Sequence, residues 1–176
     1  MSLALSDSVL DIIKRDKICW KETAYLYGLG ITKIPMVAFT SPVIIGIEKD
    51  CLVLKIKDRR RTRNHLNSLY FGAQAVGADL ACGLFAFFFM KQKGCSLKLA
   101  FKDFKADFHK MIFGDAYFVC QEAEKIESLI SLVQNTKTRH TQTCDVFCYT
   151  QQVGWETPAS SFSLGLSLGV FEKKSV

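Results

Sequence analysis

Asp79 is the residue in this sequence best placed to do chemistry. From Leu69 to Met90 it is the one formally charged side chain in an otherwise apolar run. A carboxylate in such surroundings is costly unless it is paired, protonated or used. It can act as a base that activates water, or attack a carbonyl carbon directly. Such chemistry also needs donors for the developing oxyanion, and backbone N–H groups at the start of a helix supply them. Phe71 and Gly72 fall near the start of the run. Asn64 and Tyr70 are polar residues shortly before them. Before them comes Arg59-Arg60-Arg61-Thr62-Arg63. Guanidinium forks match phosphate oxygens, so Arg60, Arg61 and Arg63 fit a phosphate-bearing ligand. An acidic partner, an anionic membrane surface or a solvated loop accounts equally for the charge.

The element that must position Asp79 runs from Asn64 to Lys91. It holds no proline and is too long for a strand, so it reads as one helix. Asn67 or Ser68 can cap its start, and Lys91 and Lys93 suit the negative pole at its end. It is apolar on nearly every side and should be surrounded. Gly72, Ala75, Val76, Asp79, Cys82, Gly83 and Ala86 share one broad face of small residues. Gly72, Gly77 and Gly83 each cost about 1 kcal/mol relative to alanine, so close approach by a ligand or a second subunit is expected. The run is also long enough to span a bilayer. Asp79 near its centre would cost about 2.5–3.5 kcal/mol there, and the flanking strands fit a soluble wrap better, so no transmembrane span is expected.

Around this helix the pattern changes period. Leu3 to Lys17 reads as a short amphipathic helix with Asp7 as its cap. Residues 18–37 are ambiguous, with Gly28 and Gly30 as breaks and Pro35 as a boundary. Val37 to Lys57 reads as two strands around a Glu48–Asp50 turn, the second with one buried face. Ser96 to Phe108 alternates strongly, with a phase shift between Phe101 and Phe104 that predicts a bulge. AYFVCQ forms the next strand after a Gly114-Asp115 turn. Glu122 to Gln134 has helical spacing at Ile126, Leu129, Ile130 and Val133, and Thr141 to Gln151 and Ser160 to Phe171 are two final strands. The long helix is the one object able to cover a face of these antiparallel strands. This predicts an α+β hot-dog fold, an antiparallel sheet wrapped around one central helix. Residues 1–176 form a single domain, with a helical extension over about 1–36.

The 176 residues suit one domain, and 49% apolar with 23% charged residues is ordinary for a globular protein. The seven cysteines are odd in number, scattered among apolar residues and without zinc spacing, so they read as reduced, mostly buried thiols of a cytoplasmic protein. Charges near the N-terminus argue against a secretion signal. No metal, cofactor or nucleic-acid partner is expected.

The stretch 64–79 resembles the start of the central helix in hot-dog acyl-CoA thioesterases of the PaaI type, including relatives grouped as a domain of unknown function. In that family a polar Asn or Gln precedes a His-Gly-Gly step by six positions, and a catalytic Asp or Glu follows the His by nine. Here Asn64 takes the polar position, Tyr70-Phe71-Gly72 the step and Asp79 the acid. FKADFHKMIFGDAYFVCQ resembles the family's third and fourth strands around a Gly-Asp turn. The sequence departs from the pattern at Tyr70, at Phe71, and at Gly83 in place of a frequent Ser or Thr. The resemblance implies an acyl-CoA or other acyl-thioester hydrolase that forms a homodimer or homotetramer. It implies Asp79 as the acid, Phe71 and Gly72 as oxyanion donors, and Asn64 and Tyr70 at the substrate.

Other readings stand beside these. Asp79 can be a structural carboxylate bonded to Gln74, a backbone N–H or a basic group across a dimer. Asn64 can merely cap a turn, and Tyr70 can be a packing residue. His65, His109 and His140 have no partners at readable spacing, and Phe85, Phe87, Phe88 and Phe89 read as core. A hot-dog module that binds an acyl or other apolar ligand without chemistry is the alternative function.

Overall fold

Six strands carry the period-two alternation into one antiparallel sheet. In the computed structural model, which describes residues 5–171, they are β1 (Val43–Ile47), β2 (Leu52–Ile56), β3 (Lys98–Phe108), β4 (Ala116–Cys120), β5 (His140–Tyr149) and β6 (Ser160–Gly169). Their order across the sheet is β1-β2-β4-β5-β6-β3. The expected bulge in β3 falls where the phase shifts, between Phe101 and Phe104.

One long helix, α4 (Phe71–Gln92), packs on β2, β4, β5 and β6 and on α5 (Ala123–Thr136). This is the α+β hot-dog arrangement. Ala78, Ala81, Cys82, Phe85 and Ala86 of α4 are fully buried against Leu54, Phe118, Leu164 and Leu166 of the sheet. The helix is long and apolar enough to cross a membrane, but here it is the core of the domain. It is not surrounded on every side, as its composition implied. Ala75, Val76, Asp79 and Gly83 are half-buried and Phe71 and Phe87 exposed, so one strip of α4 is left uncovered.

Three short helices precede the sheet: α1 (Asp7–Arg15), α2 (Trp20–Thr32) and α3 (Pro35–Thr40). Leu3, the expected start of the first helix, lies outside the described residues, and Asp7 occupies the first turn, with Ser6 at the capping position. Gly28 and Gly30 do not break the chain; both lie inside α2. Gly30 is required there by close approach, since a β-carbon on it would come within 2.8 Å of the Ala38 backbone nitrogen in α3. Residues 37–40 belong to α3 rather than to a strand, and Val37 is buried in the main core.

β2 is buried on both faces, not one. Leu52, Leu54 and Ile56 face the α4 core, while Val53 joins a second cluster with Val9, Ile12 and Ile13 of α1. Lys55 is buried too, and its ammonium bonds Asp16, the residue that ends α1, and Asp115. The amphipathic α1 is what covers the second face.

Candidate active site

The helix that carries Asp79 begins later than its sequence implied. Asn67 and Ser68 are not its cap, because residues 64–70 form a braced loop and Tyr70 takes the cap position. Asn64 builds that loop. Its Oδ1 accepts the Leu66 and Ser68 backbone N–H groups at 2.9 and 3.2 Å, and its Nδ2 donates to the Ser68 hydroxyl at 2.9 Å. Asn67 turns the chain with φ of 60°, a conformation asparagine tolerates. The Leu69 and Tyr70 N–H groups then anchor to the carbonyls of Ile112 and Thr62, each at 2.8 Å.

The loop delivers the chain into α4 so that the Phe71 and Gly72 amides open the helix with no intrahelical acceptor. They sit at the positive pole of the helix dipole, where a developing anion is favoured. The ring of Tyr70 folds over Gly72; a β-carbon there would lie 2.5 Å from Tyr70 Cε1. The Tyr70 and Phe71 rings stand with centroids 4.6 Å apart. Gln74, one turn in, is buried. It donates to the Leu69 carbonyl at 3.2 Å and accepts the Ser160 hydroxyl at 2.7 Å, tying the head of α4 to β6.

A cleft of about 300 Å³ opens beside this helix terminus. Asn64, Ser68, Phe71 and Gln74 line one side, and the segment from Phe108 to Ile112 lines the other. His109 enters it with Nε2 2.9 Å from the Ser161 hydroxyl. Sequence spacing gave His109 no role, because its partner comes from β6, far along the chain. The cleft brings together Asn64 and Phe71; it does not include Asp79.

Asp79 lies two turns further along the uncovered strip of α4. At 1.5 Å per residue, seven or eight residues place it about 10–12 Å from the Gly72 and Phe71 amides, too far for both to act on one carbonyl within one chain. Gln74 is committed elsewhere, and among the described residues the Asp79 carboxylate has no hydrogen-bond or ion-pair partner. Burial pushes its pKa above the usual carboxylate range.

The arginines divide. Arg63 forms a bidentate pair with Asp58, with both bonds 2.7 Å, and this pair holds the Asp58 carboxyl below its ordinary range. Arg61 donates to the Ser41 hydroxyl at the end of α3. Arg59 and Arg60 are exposed. A second, more apolar groove of about 560 Å³ lies beyond the C-terminal half of α4, lined by Tyr25, Ile44, Ile47, Leu84, Phe87 and Phe88, with Lys21, Glu22 and Lys91 at its margin. The phenylalanine run therefore splits: Phe85 and Phe89 are core, while Phe87 and Phe88 line this groove. Of the cysteines, Cys51, Cys82, Cys120, Cys144 and Cys148 are buried and Cys19 and Cys95 half-buried, all as free thiols.

No protein-family model and no curated protein matches the sequence. Solved structures do match. A protein of unknown function from Chlorobaculum tepidum TLS superposes with a TM-score of 0.74 at 12% identity, covering 89% of this chain and 99% of that one. A thioesterase from Haemophilus influenzae superposes with a TM-score of 0.62 at 12% identity, covering 86% and 92%. A variant of a thioesterase from Pseudomonas aeruginosa gives 0.63 at 12% identity, covering 85% and 94%. With its antiparallel sheet wrapped around α4, this chain has the hot-dog fold that it shares with those thioesterase structures.

Proposed function

We propose that this protein hydrolyses acyl thioesters, with coenzyme A as the carrier. The observation that carries the reading is Asp79, a half-buried carboxylate with no partner among the described residues, on the uncovered strip of the central helix. A structural carboxylate would have found a donor; one kept for chemistry faces open space. Since the Phe71 and Gly72 amides of the same chain lie out of its reach, the site joins two copies. Asp79 of one copy faces the helix terminus of the other in a homodimer, which can double to a tetramer. There the carboxylate takes a proton from water as the water oxygen bonds the carbonyl carbon, and later gives it to the leaving thiolate. In the alternative route it attacks that carbon itself, and water then hydrolyses the acyl anhydride and protonates the thiolate. The amides hold the oxyanion, the carbon–sulfur bond breaks, and the thiolate leaves with a proton. Arg60 and Arg61 hold the carrier's phosphates, and Asn64 and Tyr70 border the substrate. Arg63 belongs to this group only if phosphate displaces Asp58.

The edge position of β3 supports assembly: an eleven-residue edge strand with exposed Phe104 and Phe108 leaves backbone groups open to a second chain. Light scattering at micromolar concentration is expected to give a dimer or tetramer, and a monomer overturns the shared site. We place the protein in the cytoplasm, where its seven free thiols remain reduced.

One observation favours a second reading. Tyr70 covers Gly72, and Phe71 brings a side chain to the donor position, so the amides are narrowed toward binding without turnover. Purified protein offered acyl-CoAs of graded chain length separates the two. Thiol release is expected for a hydrolase; saturable binding without thiol release would identify an acyl-binding module.

A further inference from the structure

The N-terminal helices pose a problem that the hydrolase reading does not address. α2 carries apolar side chains all round, yet it buries only Thr23, Leu26 and Gly30. An all-round apolar helix normally lies inside a protein. Here Trp20 is 72% and Ile31 73% exposed, and their spacing puts both on one face of the helix. α3 repeats the pattern, burying Val37 and Thr40 while Met36 and Phe39 stay exposed, and Ile34 is exposed in the link between them. The pair is held firmly: Gly30 packs on Ala38, and Thr23 accepts the Ile44 N–H of β1 at 3.1 Å. The outward side of the α2–α3 hairpin is therefore a fixed apolar surface.

Its charge identifies what covers it. From Trp20 to Thr40 the hairpin carries Lys21 and Lys33 against one acid, Glu22. Arg61, bonded to Ser41 where α3 ends, brings the arginine-rich turn alongside, so the basic rim continues past α3. Tryptophan, phenylalanine and aliphatic residues set in a cationic rim are the composition that enters the headgroup region of an anionic bilayer. The hairpin also packs at the β1 end of the sheet, the opposite edge from β3, so a dimer formed through β3 leaves it free.

We infer that the α2–α3 hairpin docks this protein on an anionic lipid surface, with Trp20, Ile31 and Phe39 inserted at the interface and Lys21 and Lys33 set against the headgroups. This reading shares the arginine-rich turn with the proposed carrier site, but its test rests on residues outside the proposed hydrolytic site. The full chain should co-sediment with vesicles of equal parts phosphatidylserine and phosphatidylcholine, more weakly as salt rises, and far less with phosphatidylcholine alone. Trp20→Ser with Phe39→Ser should cut binding by about tenfold or more, the scale of losing one buried apolar side chain. Each of Lys21→Ala and Lys33→Ala should cut it about fivefold. These positions are exposed, and an unchanged melting temperature confirms that the variants fold. No co-sedimentation, or equal binding to neutral vesicles, overturns the inference. So does a fall in oligomer mass in Trp20→Ser with Phe39→Ser, which would show that a second copy covers the hairpin.

Discussion

The ring of Phe118 in β4 lies against the backbone of Gly77 in α4, so close that a β-carbon on residue 77 would come within 2.5 Å of two ring atoms. This contact sets how near the central helix approaches the sheet. Gly83, on the uncovered strip of the same helix, differs: a β-carbon there would meet the Phe101 ring at 3.7 Å, ordinary contact. Gly77→Ala should therefore destabilise by about 1–3 kcal/mol through overpacking, partly offset by helix propensity. Gly83→Ala should instead gain up to about 1 kcal/mol. Thermal melting of the two single variants checks the opposite signs, and equal shifts would mean that the helix does not sit on Phe118 as described.

Lys55 links α1 to the sheet through Asp16 and Asp115. Burial alone would lower its pKa, but the two carboxylates outweigh it and hold the ammonium above its ordinary range. A raised lysine pKa contributes stability that is fully present below the unfolded value, about 10.4, and lost as pH rises through the folded one. Asp16→Asn keeps the left-handed backbone that residue 16 adopts and removes one partner. Asp16 is partly exposed, so the cost should be about 1 kcal/mol, or about 2–4 °C in melting temperature. That gap should hold constant from neutral pH to about 9 and narrow above about 10.4, as melting curves across a pH series would show.

The parts of the fold that were legible in the sequence are those whose signal is local. Alternation located the strands, and the slip between Phe101 and Phe104 located the bulge, because side-chain direction in a strand follows residue count. The apolar stripe Ile126, Leu129, Ile130 and Val133 located α5 for the same reason. Gly30 misled because its cause is tertiary: it admits Ala38, and nothing in residues 18–32 announces α3. Asn67 misled because a short polar residue suits both a helix cap and a left-handed turn. At the site, the lone charge of Asp79 was visible, while the Gln74–Ser160 and His109–Ser161 contacts join residues 86 and 52 positions apart.

The arginine-rich turn gives a graded prediction. Arg63 is held by Asp58, whereas Arg60 is exposed and Arg61 is tied, among the described residues, only to a serine hydroxyl. Arg60→Ala with Arg61→Ala should raise the Michaelis constant for acyl-CoA, most at low salt, and leave turnover nearly unchanged. Arg63→Ala should lower the melting temperature rather than affinity, because it strips Asp58 of its partner. A Michaelis constant indifferent to Arg60 and Arg61 at every salt concentration would assign the turn to solvent.

Asp79 carries the sharpest test. Its pKa is raised by burial with no compensating charge, so the ionised form is the costly one. The sign follows: stability is fully present below the unfolded carboxyl value, about 3.9, and is lost as pH rises through the higher folded value. Asp79→Asn cannot ionise and escapes that loss. The variant should melt at or above the wild-type temperature at neutral pH, with the advantage vanishing as pH falls below about 4. If the carboxylate is the base or nucleophile, the same variant should lose about a hundredfold or more in turnover. Wild-type hydrolysis should in turn rise with pH through a midpoint above the usual carboxylate range. A structural carboxylate would give the reverse pattern, early melting with normal hydrolysis per folded molecule, because its buried partner would be left alone. Stability gained and turnover lost in one substitution is the result that only a carboxylate kept for chemistry produces.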